Sequence, residues 1–419
     1  MPIIAVTGRT AGVGAVTPQP PIPGAKASHV SVWLVSAVQQ ENVNSTTHLL
    51  HVLAEALGRR VDLGVLSPRR SHPLVPADAT ATNGRYRLWL ADRTRRALLG
   101  SLEVAFSALR LVRGGNVLLV VTNPPVLPIL MTAVAALRRA HLIVVVHDVY
   151  PDVLHVLGVL RRGSLRSRVF DGLMRGSLRR ADRVVVIGRD MHSLIEAKLG
   201  GDASHVVCLP NWADTDVAPV NVPWHRRQDA NAAPLSVQYS GNMGATHPVE
   251  ILLETAERLQ EEAVPARLQI YGWGLKHGLL SAGRNARDLR NMDVGGACER
   301  SELNRRLGSC DIALILMRRG MTGVSVPSRL YNILAAGKPL IVSADEGTEA
   351  AMLVREHGLG WVVEPENPRA LAAAVRDAVR RRDELPAMGT RAAWLAAHQY
   401  SFSEAVDRYM RVIEDVARC

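Results

Sequence analysis

From His29 onward the chain alternates between short runs of β-branched and aliphatic residues and longer stretches whose apolar positions recur at helical spacing. The runs at 30–35, 61–66, 117–122, 142–147 and 183–187 predict strands, with helices between them. The alternation breaks over 210–229, where Pro210, Pro219 and Pro223 sit among polar residues, and resumes at 235–240. Further strands are expected at 266–271, 292–294, 312–317, 340–342 and 360–363, and closing helices over 367–380 and 402–417. Such a βαβ rhythm builds parallel, doubly wound sheets. The pattern therefore predicts an α/β protein of two facing Rossmann-like domains, 28–215 and 216–398. A disordered leader rich in proline and glycine, 1–27, precedes them, and a helical segment, 399–419, follows and packs back on the first domain. Ligands of these sheets bind beyond the carboxyl ends of the strands, so the two domains are expected to enclose a cleft.

Length agrees with this division, because 419 residues exceed what one hydrophobic core ordinarily supports. Hydrophobic residues make up 47% of the chain with only 3 Phe, so the cores consist of Ala, Val and Leu, which suits parallel strands covered on both faces. The charge-free run 114–137 is long enough to span a bilayer, but Asn123-Pro124-Pro125 divides it into a strand and a helix. No basic region followed by an apolar stretch opens the chain, so no export signal is read. Cys208, Cys298, Cys310 and Cys419 have neither zinc spacing nor a disulfide pattern, and the expectation is a reducing cytoplasm and no metal.

The net charge of +11, from 50 basic and 39 acidic residues, favours anionic partners. Arginines concentrate over 161–183, interleaved at helical spacing with Leu165, Val169, Phe170, Leu173 and Leu178. This is an amphipathic basic face suited to an anionic membrane surface or a diphosphate-bearing lipid, or else a solvated helix face packed on its own sheet. Aromatic residues at 4% and the lack of a helix-turn-helix, RNA-recognition or zinc-finger signature argue against nucleic acid, the competing partner for a basic chain.

The segment 325–342, SVPSRLYNILAAGKPLIV, says most about chemistry. Pro327 ahead of Leu330, Ile333 and Leu334 marks a helix start, and Gly337 with Pro339 marks its end before a strand. N–H groups at a helix start attract anions such as nucleotide phosphates, although an ordinary helix–turn–strand unit has the same spacing. Other stretches accompany it in order: TNPPVLPIL at 122–130, VVVHDVYPDVLHVLG at 144–158, RRADRVVVIGRDM at 179–191, LPNWADTD at 209–216 and YSGNMGATHPVEILLETAERL at 239–259. In these residues the chain resembles the family 4 nucleotide-sugar glycosyltransferases of the GT-B fold. Within that family it is similar to the WbuB-like branch of bacterial polysaccharide and lipopolysaccharide enzymes.

The resemblance implies retaining transfer of a hexosyl or N-acetylhexosaminyl group from a nucleotide-sugar donor, a UDP-sugar in the nearest branch. The implied acceptor is a glycan or a polyprenyl-diphosphate-linked saccharide met at the inner face of the cell membrane. No cofactor or metal is implied, because protein groups neutralise the leaving diphosphate. By the same resemblance Gly241, Asn242 and Gly244 form the donor turn after a strand. Pro327, Ser328 and Arg329 meet the diphosphate, Lys276 adds a cation, and the amide of Asn332 reaches the ribose. His147, Asp148 and Arg329 are the expected catalytic groups, and Asn42 and Asn44 in the loop QQENVNS are expected at the acceptor. The chain departs from its relatives where many carry two glutamates, at Val324 and Asn332. It departs again where they carry an arginine and a lysine, at Asn242 and at Thr246 or His247. The absent cations shift the burden to Arg329, with Lys276, Arg318 and Arg319 behind it. The absent carboxylates leave a nucleotide-binding pseudoenzyme open, and the shared architecture leaves a UDP-sugar 2-epimerase open.

Overall fold

The computed structural model describes residues 30–36, 45–68, 83–219, 233–297 and 299–418. The leader 1–27 and the loop holding Asn42 and Asn44 lie outside these residues. Strands β1 (Ser31–Val35), β2 (Asp62–Leu66), β3 (Val117–Val121), β4 (His141–Val146), β5 (Arg183–Val186) and β6 (Val206–Cys208) form one sheet. Its order is β2-β1-β3-β4-β5-β6, and every neighbouring pair is parallel. Strands β7 (Leu235–Asn242), β8 (Ala266–Trp273), β9 (Met292–Gly295), β10 (Ile312–Leu316), β11 (Leu340–Ser343) and β12 (Gly360–Val363) form a second parallel sheet, ordered β12-β11-β10-β7-β8-β9. The chain is thus two Rossmann-like units, and the second has the 3-2-1-4-5-6 order of dinucleotide-binding sheets.

Central strands of such sheets are covered on both faces and need apolar side chains on both. VLLVV of β3 and IALIL of β10 are buried at every position. The charge-free run becomes β3 and the helix Leu127–Arg138, and no helix among the described residues is long and apolar enough to cross a membrane. Two details differ from expectation. β6 has only three residues at a sheet edge, too short for a periodicity to register. Gly241 and Asn242 are not a turn after β7 but its last two residues, paired with Gly272 and Trp273 of β8.

Strand order reverses between β1 and β3 in the first sheet and between β7 and β10 in the second, and crevices open at such switch points. The two units are joined by continuous packing: one apolar cluster runs from Val120 and Val144 to Val324, Val326, Leu330 and Tyr331. Polar contacts reinforce it. The Val149 N–H donates to the Val324 carbonyl at 2.8 Å, and the Gly323 N–H donates to Asp190 Oδ2 at 2.9 Å. The backbone N–H and Nε of Arg189 both donate to buried Glu349, and its Nη1 reaches Glu356 at 2.8 Å.

The last helix, Phe402–Ala417, starts at Ser401, whose side chain accepts from the Glu404 N–H. Its Tyr409, Ile413 and Val416 share a core with Val32, Leu119 and Val145 of the first sheet, so the chain's end lies on the unit where the chain begins. Ile413 is fully buried there. Ile413→Ala should lower stability by about 2–5 kcal/mol, read as a drop in the urea midpoint; an unchanged midpoint would mean that this helix does not hold the first sheet.

Candidate functional site

At the switch point of the second sheet β7 ends in Tyr239-Ser240-Gly241-Asn242. Gly241 adopts φ +142°, and a Cβ placed on it would lie 2.8 Å from Cζ of Arg329. Glycine is thus required for its backbone, and any larger residue would also displace the guanidinium from where it sits. Arg329 is the first residue of the helix Arg329–Ala335, and its guanidinium fills that space with Cζ 4.7 Å above the ring of buried Tyr239. Nη2 lies 3.1 Å from His247 Nε2, while Nη1 is buried with no hydrogen-bond partner among the described residues.

These contacts fix the state of His247. Arginine only donates, so His247 Nε2 accepts and its proton sits on Nδ1, 3.0 Å from Thr246 Oγ1. Burial, followed by the charges of Arg329, Lys276 and Arg318, pushes the imidazole well below its ordinary range, and the ring is neutral. Lys276 Nζ donates to the His247 carbonyl and to Glu250 Oε2, both at 2.7 Å; burial pulls its pKa down against the opposing pull of Glu250. Arg318 Nε donates to the Ala245 carbonyl at 2.6 Å and lies 3.6 Å from Glu366. The segment after β7 is thereby wrapped by three cations. Lys276 and Arg318 have carboxylates beside them, and Arg329 has none among the described residues.

Across the junction His147 follows β4, with its backbone N–H donating to Thr122 Oγ1 at 3.1 Å. Its side chain is buried, Nε2 has no partner among the described residues, and desolvation pulls its pKa down to about 4. The imidazole is therefore neutral. Asp148 forms an antiparallel bridge with Ser325, four residues before Arg329. Burial raises its carboxyl pKa, and a hydrogen bond from Ser325 opposes the rise.

The structure thus gathers Gly241, Arg329 and Lys276 around His247 and ties His147-Asp148 to the stretch leading into Arg329. Asn242 is exposed at the end of β7, and Gly244 lies beyond it. Pro327 accepts the Leu330 N–H through its carbonyl, and Ser328 caps the helix only through its backbone, without a side-chain bond. The amide of Asn332 is held on the side of Asp214, with Oδ1 accepting from the Asp214 N–H at 2.7 Å and Nδ2 donating to Asp214 Oδ2 at 3.1 Å. A cavity of about 300 Å³ lies on that side, between helix Ser45–Gly58, Trp212–Val217 and Ser301–Asn304. Arg319 Nη2 donates to Glu364 at 2.7 Å. Tyr239 and His247 position Arg329; in the sequence Tyr239 carried no signal beyond its closeness to Gly241, and His247 only that of a place where relatives carry a cation.

Comparison with known proteins bears on the family and the fold. Residues 44–212 match the model of the glycosyl transferase 4-like domain, and residues 223–393 match that of glycosyl transferases group 1. A Pseudomonas aeruginosa protein named glycosyltransferase WbjE is 27% identical over 82% of this chain and 88% of its own length. A colanic acid biosynthesis glycosyl transferase of Escherichia coli, WcaI, is 30% identical over 59% of this chain and 62% of its own length. Among solved structures, Anabaena Alr3699/HepE in complex with UDP superposes with a TM-score of 0.65 at 12% identity, over 92% of this chain and all of that one. The sucrose-phosphate synthase of Thermosynechococcus elongatus superposes with a TM-score of 0.68 at 13% identity, over 93% and 99%. Two tandem family matches on two parallel six-stranded sheets lead to one conclusion: the chain belongs to the family 4 glycosyltransferases, enzymes of the GT-B fold that transfer sugars.

Proposed function

We propose that this enzyme transfers a sugar, with retention of configuration, from a UDP-sugar to a hydroxyl of a glycan or polyprenyl-diphosphate-linked acceptor in the assembly of a cell-surface polysaccharide. The observation that carries the reading is the unpartnered Nη1 of Arg329 at the switch point of the second sheet. A buried guanidinium donor without an acceptor is costly, and a diphosphate oxygen is the acceptor its planar fork fits. Names of relatives support the rest: colanic acid biosynthesis for one, and UDP in the crystal of a structural neighbour.

In this reading the glycosidic bond to the diphosphate breaks while Arg329, already desolvated and oriented by Tyr239 and neutral His247, meets the charge that develops on the leaving oxygens. His147 acts through its free Nε2 as a neutral hydrogen-bond partner of the transferred sugar. Asp148, held by Ser325, orients the same strand end. A binding-only protein is the second reading, favoured by Val324, which is buried in the domain junction, and by Asn332, which is committed to Asp214. Incubation with a panel of UDP-, GDP- and ADP-sugars, with and without lipid-linked acceptors, separates the readings. Transfer supports the proposal, binding without turnover supports the second reading, and sugar conversion without acceptor indicates an epimerase.

Arg329→Met should lower kcat by about 10²–10³-fold and weaken UDP binding measured by calorimetry, whereas Arg329→Lys, a point charge unable to hold His247 and phosphate together, should recover only part of either. A methionine variant that binds UDP as the native protein does would remove Arg329 from the site.

His147→Ala should reduce kcat with little change in UDP affinity. The same residue shapes the pH response. Folded His147 titrates at about 4 and unfolded histidine at about 6.5, so between these values the unfolded chain holds the extra proton. The stability present above pH 6.5 is then lost as pH falls through this window, by up to about 3 kcal/mol. Chemical denaturation of His147→Asn across pH 4–7 should show a shallower slope than the native protein; equal slopes would show that His147 is not the group concerned.

A further inference from the structure

Charge is distributed unevenly along this chain. Residues 83–183 carry 17 arginines, no lysine and 6 acidic residues, an excess of 11 that equals the net charge of the whole protein. The remainder is balanced, 33 basic residues against 33 acidic. In the structure this stretch supplies three neighbouring helices over the first sheet, Asn83–Leu111, Leu127–Arg138 and Leu165–Arg180, the second packed against both others.

A surface helix ordinarily has one apolar stripe, turned to the core. Two of these helices have a second. Helix Leu165–Arg180 buries Met174 and Leu178, yet Leu165, Val169 and Leu173, spaced four residues apart, are between 50% and 77% exposed. On Asn83–Leu111 the buried row is Val104, Ala105 and Ala108, while Leu98, Leu102 and Phe106, again four apart, are 45–54% exposed. Leu137 on the middle helix is 73% exposed. Phe170 and Leu178, part of the same periodicity, serve the interior instead, Phe170 against Tyr150 and Leu178 in the core.

Arginines border both rows. Arg161, Arg162, Arg166 and Arg168 are exposed around Leu165, Arg179 and Arg180 are exposed at the far end of that helix, and Cζ of Arg110 sits 4.0 Å over the Phe106 ring. Asp171, an acid of this layer, is occupied by Lys198 and Arg175.

We propose that this three-helix face docks the first domain on an anionic lipid bilayer, with the apolar rows entering the acyl boundary and the arginines engaging lipid phosphates. Exposed aliphatic rows gain free energy in hydrocarbon, whereas a nucleic acid offers them nothing, which is why a bilayer and not a polynucleotide is the occupant. Neighbouring helices pack 8–10 Å apart, so the outer rows are separated by about 20 Å. Two lines of attachment fix an orientation where one would leave a pivot. The inference is independent of which sugar or acceptor the enzyme uses.

The test is co-sedimentation of the full-length protein with vesicles of phosphatidylcholine alone and of phosphatidylcholine mixed with phosphatidylglycerol, with thermal midpoint and UDP binding as controls of folding. Retention is expected on the anionic vesicles and its release by salt. A quadruple variant, R161Q/R162Q/R166Q/R168Q, should bind them on the order of a thousand-fold more weakly. A second variant, L98S/L102S/F106S with L165S/V169S/L173S, should lose retention even at low salt while its thermal midpoint holds. Equal retention on both vesicle types, unchanged retention of both variants, a dimer through this face that the serine variant dissolves, or affinity for a labelled oligonucleotide in place of vesicles would each overturn the proposal.

Discussion

A half-buried guanidinium, pinned on three sides and with one nitrogen shut away from water, is the constraint around which the second domain is arranged. Arg329 has the Tyr239 ring on one side, His247 at one nitrogen, and backbone where any residue but glycine at 241 would intrude. A charge so placed costs free energy until an opposite charge arrives. Its neighbours do not relieve it: His247 is neutral, and the carboxylates of Glu250 and Glu366 stand beside Lys276 and Arg318. The fold therefore keeps a partly desolvated donor nitrogen without an acceptor at a strand switch point, and the proposed diphosphate site rests on that property.

The same short segment also joins the domains. The Gly323 N–H donates to Asp190, the Val324 carbonyl accepts from the Val149 N–H, Ser325 bridges Asp148, Tyr331 packs into the shared core, and Asn332 clasps Asp214, while Arg329 between them faces Tyr239 and His247. This gives a physical sense to the two departures from the family pattern. A carboxylate at 324, a position 3% exposed in an apolar cluster, would have to be buried without a counter-charge. An amide at 332 can donate to and accept from one aspartate residue at once, which a glutamate cannot. Both positions contribute here to joining the domains.

What was legible in the sequence follows from where the signal is local. VLLVV and IALIL read as covered parallel strands once flanking breakers such as Asn123-Pro124-Pro125 are counted, and the proline and polar stretch after Pro210 separates the two sheets. The importance of Arg329 followed from its place just after Pro327 in a recognisable segment. His247 was legible only as a place where a relative's cation is missing, because its role depends on β7 ending beside a helix 82 residues further on. The pairing of Asn332 with Asp214 was not legible for the same reason: the two are 118 residues apart, and no pattern within a helix reports it. β6 escaped because three residues at an edge carry no period.

The two domains use positive charge in opposite ways, and the difference follows from how each group is solvated. Around β7 the cations are few, partly buried and individually braced, so each acts at short range, where low polarity strengthens a single contact. Over the first sheet the arginines are many and exposed, so each is screened and weak by itself, and only their number on one face makes the sum large. A buried arrangement of that kind selects one geometry of a small anion. An exposed one recognises an extended anionic plane and is indifferent to its details. Both occur in one chain, with residues 83–183 holding an excess equal to the entire net charge, and this division of charge is what the two proposals rest on, a small anion at one sheet and an extended anionic surface at the other.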